Sequence, residues 1–265
     1  MAEYSSHVPG TFSWFELATP DQAKAVAFYR SLFEWDVQDV PLGGTQVYTL
    51  FRVRGVDVAA ACTQQSDERQ MGIPAHWNLY IASASVDDST ARAKALGGKV
   101  LAGPFDVMDA GRMVVLQDPT GAVFHLWQAN RNVGTRILGE PGTPCWTELT
   151  TTDPTAAEAF YTQLFGWTAK HGAADATVPY TEFSVAGAEA PSIGMMPKLP
   201  GMPADMPSFW MPYFMVTDCA ASTERVRALG GQTMMGPHPI ADVGWFSVVA
   251  DPTGACFALF QAVAG

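Results

Sequence analysis

The chain has 265 residues, of which 48% are hydrophobic and 15% charged, a composition that predicts a folded protein large enough for two domains. A net charge of −11 argues against nucleic acid or an acidic membrane surface as a partner, and no stretch is long and apolar enough to span a bilayer. The start lacks a signal-peptide pattern and the four cysteines are scattered, so we expect a cytoplasmic protein without disulfides or cysteine-bound zinc.

The first predicted element is a short alternating strand over Thr11–Leu17, which places a tryptophan and a glutamate on one face. Thr19 and Asp21 follow as acceptors for the free amides of a helix that runs to about Phe33. The apolar spacing within this helix predicts a buried stripe of Ala25, Phe28, Tyr29 and Leu32.

A second unit of similar plan follows the first. Gly97 and Gly98 predict the end of its helix, and Asp118–Gly121 predicts a tight turn before its last strand. Thr63–Pro74 is predicted as a loop. The further predicted strands of this half are Val47–Val53, Val56–Cys62, Trp77–Ala82, Met113–Gln117 and Ala122–Trp127.

The chain then repeats itself. Gly10–Trp35 matches Gly142–Trp167 at 14 of 26 positions without a gap, and Trp77–Gln128 matches Trp210–Gln261 at 22 of 52. The sequence therefore predicts an α+β fold of four βαβββ units in two tandem domains, over residues 1–132 and 140–265. The Pro- and Met-rich tract 196–207 is predicted as a loop over a sheet edge or a cavity mouth.

These motifs resemble the vicinal oxygen chelate superfamily, which includes glyoxalases, bleomycin resistance proteins and dioxygenases. The resemblance rests on an aspartate followed by Phe-Tyr on a helix ending at Leu-Phe-x-Trp, on the Gly-Gly pair and on the Asp-Pro-Thr-Gly turn, in both halves. The two-domain arrangement is most similar to actinobacterial hydroxylase or glyoxalase-like proteins. The resemblance implies U-shaped mixed sheets, each around a cavity.

Many members of this superfamily bind a divalent metal at the ends of their strands. The matching positions here are Trp14, Asn78, His125 and a strand end near Ala61 in the first half, and Trp146, Met211, Ala258 and Gly194 in the second. Most of these side chains cannot ligate such an ion, so we expect no cofactor. The alternative is a divalent metal held by Glu16 and His125 with His76 or Asn78.

Two residues are candidates for catalysis, Glu16 and His125. Glu16, which has Glu148 as its second-half counterpart, is either a general acid or base with a raised pKa or a structural anchor shared by both halves. His125 is either a site residue or an ordinary buried histidine. Its counterpart is Ala258, so differences between the halves place any chemistry in the first half.

Aromatic side chains on the predicted strands either line a cavity for a flat ligand or fill it as core. Arg112 is either an anchor for an acidic ligand group or a partner in a surface salt bridge. The candidate ligand-binding residues are Trp14, Trp77, Asn78, Tyr80, Arg112, Trp127, Trp146, Glu148, Trp210 and Tyr213.

The sequence supports three functional hypotheses. The first is a protein that binds an aromatic or flat apolar small molecule without turnover, as a monomer or homodimer. The second is an enzyme of lyase, isomerase, hydroxylase or dioxygenase type with its site in the first domain. The third is an interaction protein whose cavities are fully packed.

Overall fold

A computed structural model of the chain describes residues 3–44, 46–173, 178–188, 192–203 and 205–263. Each half forms one eight-stranded mixed sheet. The first sheet contains β1 (Phe12–Thr19), β2 (Asp36–Gly43), β3 (Gln46–Val53), β4 (Val56–Thr63), β5 (His76–Ala82), β6 (Lys99–Val107), β7 (Gly111–Gln117) and β8 (Val123–Ala129). The second contains β9 (Pro144–Thr151), β10 (Thr168–His171), β11 (Thr181–Ser184), β12 (Ile193–Pro197), β13 (Phe209–Met215), β14 (Gln232–Ile240), β15 (Gly244–Ala250) and β16 (Cys256–Ala262). The helices are α1 (Gln22–Phe33), α2 (Ser66–Gln70), α3 (Val86–Ala95), α4 (Pro154–Phe165) and α5 (Cys219–Ala228).

The two sheets have the same strand order, β2-β3-β4-β1-β5-β8-β7-β6 in the first and β10-β11-β12-β9-β13-β16-β15-β14 in the second. Two βαβββ units meet at the centre of each sheet, where β1 pairs with β5 and β9 with β13. The predicted α+β class with four such units is thereby confirmed. Thr63–Pro74, predicted as a loop, contains the five-residue helix α2.

The long helices begin where the sequence predicts. Asp21 accepts a hydrogen bond from the Lys24 amide at 3.0 Å, and Asp153 accepts one from the Ala156 amide at the same distance. These carboxylates satisfy amides that have no partner within the helix. Gly97 follows α3 at φ +91°, a backbone region that glycine adopts without strain.

One face of each sheet is buried against the other half. Along β1 and β5 the side chains alternate, so that Phe15, Leu17 and Leu79 point into a single apolar core that also contains residues of the second half. Phe257 of β16 lies 5.4 Å from Tyr29 of α1, and Phe124 of β8 lies 5.6 Å from Tyr161 of α4, measured between ring centroids. Each half therefore packs its first helix on the sheet of the other.

Hydrogen bonds cross this interface in matched pairs. The indole N–H of Trp35 donates to the Gly142 carbonyl at 2.7 Å, and that of Trp167 donates to the Gly10 carbonyl at 2.9 Å. The Tyr161 hydroxyl donates to Oδ2 of Asp118 at 3.0 Å. Thus the Phe-Tyr helix, its final tryptophan and the Asp-Pro-Thr-Gly turn, which carry the resemblance in sequence, join the two halves.

Within the part of the chain that the model describes, no helix has the length and apolar character needed to cross a membrane.

Candidate functional site

The opposite face of each sheet carries the candidate residues. In the first half we call this the first site face, which consists of Trp14, Glu16, Tyr48, Ala60, Asn78, Tyr80, His125 and Trp127. Trp14, Tyr80 and Trp127 pack together and are buried, and Leu50 and Met113 cover them as half-buried neighbours. The face is therefore predominantly aromatic, with few polar groups.

Glu16 accepts three side-chain hydrogen bonds on this face. The Tyr48 hydroxyl donates to Oε2 at 2.7 Å, the Tyr80 hydroxyl to Oε1 at 3.0 Å and the Asn78 amide to Oε1 at 3.2 Å. The Trp14 indole donates in turn to the Tyr48 oxygen at 2.8 Å. Burial, followed by the charge of Glu16, raises the pKa of both tyrosines, so both remain protonated donors.

His125 lies beside this network but outside its hydrogen bonds. Its ring centroid is 4.5 Å from that of Tyr80, its partner residue on the neighbouring strand. Burial and then the nearby His76 lower the pKa of His125 to about 3, although the Leu79 backbone raises it. The imidazole is therefore neutral at physiological pH.

The second half repeats the carboxylate network. Glu148 accepts from the Tyr180 hydroxyl at 2.8 Å and from the Tyr213 hydroxyl at 2.9 Å, and the Trp146 indole donates to the Tyr180 oxygen at 3.0 Å. Burial raises the pKa of Glu148, while the two tyrosine hydrogen bonds lower it. A network present in both halves favours the anchoring role for these glutamates.

The two faces differ in the residues around the shared network. The second site face consists of Trp146, Glu148, Tyr180, Gly194, Met211, Tyr213, Ala258 and Phe260. Met211 replaces Asn78 opposite the glutamate, and Ala258 replaces His125 opposite the tyrosine. The first face thus has polar groups where the second is apolar.

Trp77 and Trp210 do not lie on the site faces, which corrects their assignment as ligand-binding residues. Both are in the core between the halves, where their indoles donate to the Tyr29 and Tyr161 hydroxyls at 3.3 and 2.8 Å. Because successive side chains of a strand point to opposite faces of the sheet, Trp77 lies on the opposite side from Asn78. The same rule corrects Ala61, because Ala60 is the residue opposite Glu16.

Arg112 is also not a site residue. Its guanidinium binds Asp87 of α3 at 3.0 Å and Asp106 of β6 at 2.9 Å. Its neighbour Met113 packs on the first site face, so Arg112 points to the other side of β7. The surface salt bridge, the second alternative for this residue, is what the structure contains.

The donors present do not fit the superfamily's metal site. Among the residues that the model describes, no group of three or more His, Cys, Asp or Glu side chains is arranged to hold an ion. Both carboxylate oxygens of Glu16 already accept hydrogen bonds, and His125 is the one imidazole among the residues that define this face, whose other polar groups are phenols, indoles and an amide. Such groups are poor ligands for a divalent cation.

Tyr48 and Tyr180 belong to the site but were not among its predicted residues. The repeat contains a signal for them, because they are 132 positions apart, the same offset that relates Trp14 to Trp146. Cys62 is a further neighbour, since Glu16 contributes after burial to raising the pKa of its thiol. That thiol is accordingly not a nucleophile.

A depression of 370 Å³ lies elsewhere, beside the turn that begins at Asp251. Most of its lining residues are small, and Asp251 is the one charged residue among them. Oδ1 of Asp251 already accepts hydrogen bonds from Thr253 and Ala255 of the same turn. This depression therefore offers no chemistry comparable to that of the site faces.

Both halves match family models. Residues 11–126 match the Glyoxalase/Bleomycin resistance protein/Dioxygenase superfamily, and residues 146–260 match a glyoxalase-like domain. Relatives include "Putative glyoxylase CFP32" of Mycobacterium bovis, 38% identical over 98% of both chains. Another is "Anthracycline biosynthesis protein DnrV" of Streptomyces peucetius, 33% identical over 96% of this chain and 94% of the relative.

Solved structures with the same fold include a glyoxalase and a dioxygenase. One is the Mn(II)-bound glyoxalase from Novosphingobium aromaticivorans, with a TM-score of 0.64, 15% identity and coverage of 97% of this chain and 83% of that one. The other is the 2,3-dioxygenase LapB from Pseudomonas sp. KL28, with a TM-score of 0.64, 12% identity and coverage of 95% and 91%. At these identities the likeness extends to the fold alone.

Proposed function

We propose, from the premise that the chain belongs to the glyoxalase/bleomycin resistance protein/dioxygenase superfamily, that its first half binds a flat aromatic small molecule on the first site face. The observation that carries the proposal is the aromatic surface of Trp14, Tyr80 and Trp127 around a carboxylate already held by tyrosines. Aromatic rings gain from offset or edge contacts with such a surface.

The first half is favoured because its face retains polar groups that the shared network does not require. His125 and Asn78 supply hydrogen-bonding atoms there, whereas Ala258 and Met211 do not. Small-molecule sites typically combine an apolar wall with a few such polar groups. Phe246 of β15, which stands where the first half has Met113, adds further bulk to the second face.

The name of one relative agrees with this chemical class. The Streptomyces peucetius protein, which is similar over nearly its whole length, is named for anthracycline biosynthesis, and anthracyclines are polycyclic aromatic compounds. We therefore extend the proposal to planar polycyclic ligands. Binding on this face requires no metal, because tyrosines already hold Glu16 in place.

An enzyme acting on the same class of ligand is the second candidate. It is favoured by the placement of an imidazole and a carboxylate, His125 and Glu16, on the same face, although the lowered pKa of His125 makes it a weak base. Product formation with a bound polycyclic substrate, abolished by Glu16→Gln or His125→Ala while binding persists, would establish this candidate.

Binding is tested by titrating tryptophan fluorescence with planar polycyclic quinones and flavins, with thermal shift as a second readout. Met113→Phe places the second half's residue on the first face, and Phe246→Met is the matched exchange on the second face. We expect the added bulk in Met113→Phe to weaken binding at least tenfold, and Phe246→Met to leave it unchanged. Absence of quenching and of a thermal shift with every compound would reject the proposal.

The metal-free character of the site is tested separately. Protein treated with a chelator is exposed to Mn(II), Fe(II), Zn(II) and Ni(II), desalted and analysed for bound metal. We expect less than one tenth of an ion per chain, and wild-type ligand affinity without added metal. A stoichiometric ion that Glu16→Gln removes would contradict this part of the proposal.

A further inference from the structure

The Nδ1 atom of His125 lies in the interior of the first half without a hydrogen-bond partner among the described residues. The residue is only 5% exposed, and no partner for its Nδ1 lies at hydrogen-bonding geometry among the described residues. A neutral imidazole has one N–H donor and one acceptor nitrogen. The Leu79 backbone carbonyl can accept a hydrogen bond only from the ring N–H, and this interaction raises the pKa of His125. An acceptor nitrogen therefore remains unpaired.

The surroundings of His125 do not supply the missing donor. The ring lies against Tyr80, whose hydroxyl is already committed to Glu16 at 3.0 Å. Trp127 meets the Tyr80 ring edge-on at 6.2 Å, and its indole N–H donates to the Asn132 carbonyl at 2.8 Å. Buried polar atoms are normally paired, and leaving one unpaired is destabilising. The first site face therefore retains a buried polar atom without a partner among the described residues.

The second half shows that the architecture does not need this histidine. Tyr213 pairs with Ala258 in the register in which Tyr80 pairs with His125. The tyrosine–glutamate network is complete in both halves. The second half forms the same sheet with the methyl side chain of Ala258 at this position. The imidazole of His125 is therefore not required by the fold.

We infer that His125 accepts a hydrogen bond from a hydroxyl group of the bound ligand, so that the first site face selects hydroxylated planar aromatics over those without a hydroxyl. This inference rests on the proposed function and specifies its ligand class. The neighbouring Tyr80 and Trp127 rings provide the surface, and His125 sets the position of the hydroxyl on it.

The test compares 2-phenanthrol with its methyl ether, 2-methoxyphenanthrene, by isothermal titration calorimetry. The two compounds share a ring system, but only the phenol can donate a hydrogen bond. We expect wild-type protein to bind the phenol about tenfold more tightly, since a buried hydrogen bond of this kind is worth about 1.4 kcal/mol. His125→Leu removes the preference, and Ala258→Leu, the matched change in the second half, preserves it.

A second measurement uses the wild-type protein and so does not depend on the folding of a variant. The ¹⁵N resonance of the unprotonated His125 nitrogen is expected to move upfield when the phenol binds, and to stay in place with the ether. Equal affinity for the two compounds, a preference that survives in His125→Leu, or an unmoved resonance overturns the inference while the proposed function stands. If neither compound nor any other planar aromatic binds, both are overturned.

Discussion

His125 is a buried histidine kept in its neutral form, and this makes it a source of acid sensitivity. Its pKa is about 3 in the folded protein and near 6.5 in an unfolded chain. Between these pH values the unfolded state binds one more proton than the native state, so stability falls as the pH is lowered through this window.

We expect replacement of His125 by leucine to remove this contribution to the pH dependence of the free energy of unfolding. The free energy of unfolding of wild type should fall by about 1.4 kcal/mol per pH unit more than that of His125→Leu between pH 6 and pH 4. Urea denaturation at fixed pH values measures both slopes, and pH 7.5 serves as the reference at which neither state is protonated here. Parallel curves for the two proteins would contradict the assigned burial of His125.

Tyr161 and Tyr29 occupy corresponding places in α4 and α1, but their hydroxyls are not equally engaged. Tyr161 donates to Asp118 at 3.0 Å and accepts from Trp210 at 2.8 Å. Tyr29 accepts from Trp77 at the longer distance of 3.3 Å, and although Asp251 is close enough to raise the pKa of Tyr29, its Oδ2 has no partner at full hydrogen-bonding geometry among the described residues. The second-half tyrosine therefore contributes more hydrogen bonding to the interface.

The two Tyr→Phe exchanges test this difference. Tyr161→Phe leaves a buried carboxylate oxygen and an indole N–H unpaired, so we expect it to lower the free energy of unfolding by about 2 kcal/mol. Tyr29→Phe should cost about 1 kcal/mol, because its indole bond is longer and its contact with Asp251 does not reach full hydrogen-bonding geometry. Urea titrations of both variants give the values, and equal losses would argue against the unequal bonding.

At the scale of elements, the central strands were predictable because one of their faces is buried. Phe15 and Leu17 of β1 alternate with Trp14 and Glu16, and this pattern is visible in the sequence. The strands β2, β6, β10 and β14 were missed. They form the four sheet edges and are mostly exposed on both faces, so no apolar alternation marks them.

The site was predictable only as far as the strand register was known. Glu16, Tyr80 and His125 were assigned to one face, but Trp77 was grouped with them although it lies on the other. A shift of one residue moves every side chain of a strand to the opposite face, and β5 carries an aromatic residue on each face, Trp77 on one and Tyr80 on the other. The hydrogen bonds of Glu16 could not be predicted, because they depend on contacts between strands distant in sequence.

The strands β4 and β12 differ at one position next to the glutamate. Ala60 stands opposite Glu16, whereas Gly194 stands opposite Glu148. A Cβ at Gly194 would collide with the Tyr180 hydroxyl oxygen and lie 2.7 Å from Nε1 of Trp146. The glycine thus leaves room for the tyrosine that anchors Glu148.

We expect Gly194→Ala to displace Tyr180 from Glu148 and to lower the free energy of unfolding by about 1–3 kcal/mol, as overpacking commonly does. The matched variant Ala60→Gly should lose only about 0.5–1 kcal/mol through backbone entropy. Urea denaturation compares the two, and near-ultraviolet circular dichroism reports the displaced aromatic residues. A Gly194→Ala protein as stable as wild type would contradict the close packing at this position.

At the scale of the whole molecule, the duplicated motifs and the divergent residues have separate places. The Trp35–Gly142 and Trp167–Gly10 hydrogen bonds, like the Tyr161–Asp118 bond, lie where the halves meet. The residues that differ, such as His125 and Ala258, lie on the site faces, on the side of each sheet away from the other half. One face of each sheet is thus constrained by its packing against the other half. Residues on the other face can differ without disturbing that packing, and they can therefore determine which ligand binds.

The shared core predicts that the two halves unfold together. Phe257 of the second sheet packs on Phe28 and Tyr29 of the first half's helix, with ring centroids 6.3 and 5.4 Å apart. Phe257→Leu should therefore lower the free energy of unfolding by about 1–2 kcal/mol in both halves, because neither buries its helix alone.

Hydrogen exchange with mass spectrometry in graded urea measures this loss of stability for peptides of each sheet separately. Two independent domains would lose protection only in peptides of the second sheet, whereas a single cooperative unit loses it in both at the same urea concentration. Phe124→Leu, which alters the equivalent contact with Tyr161, should produce the same joint loss from the opposite side.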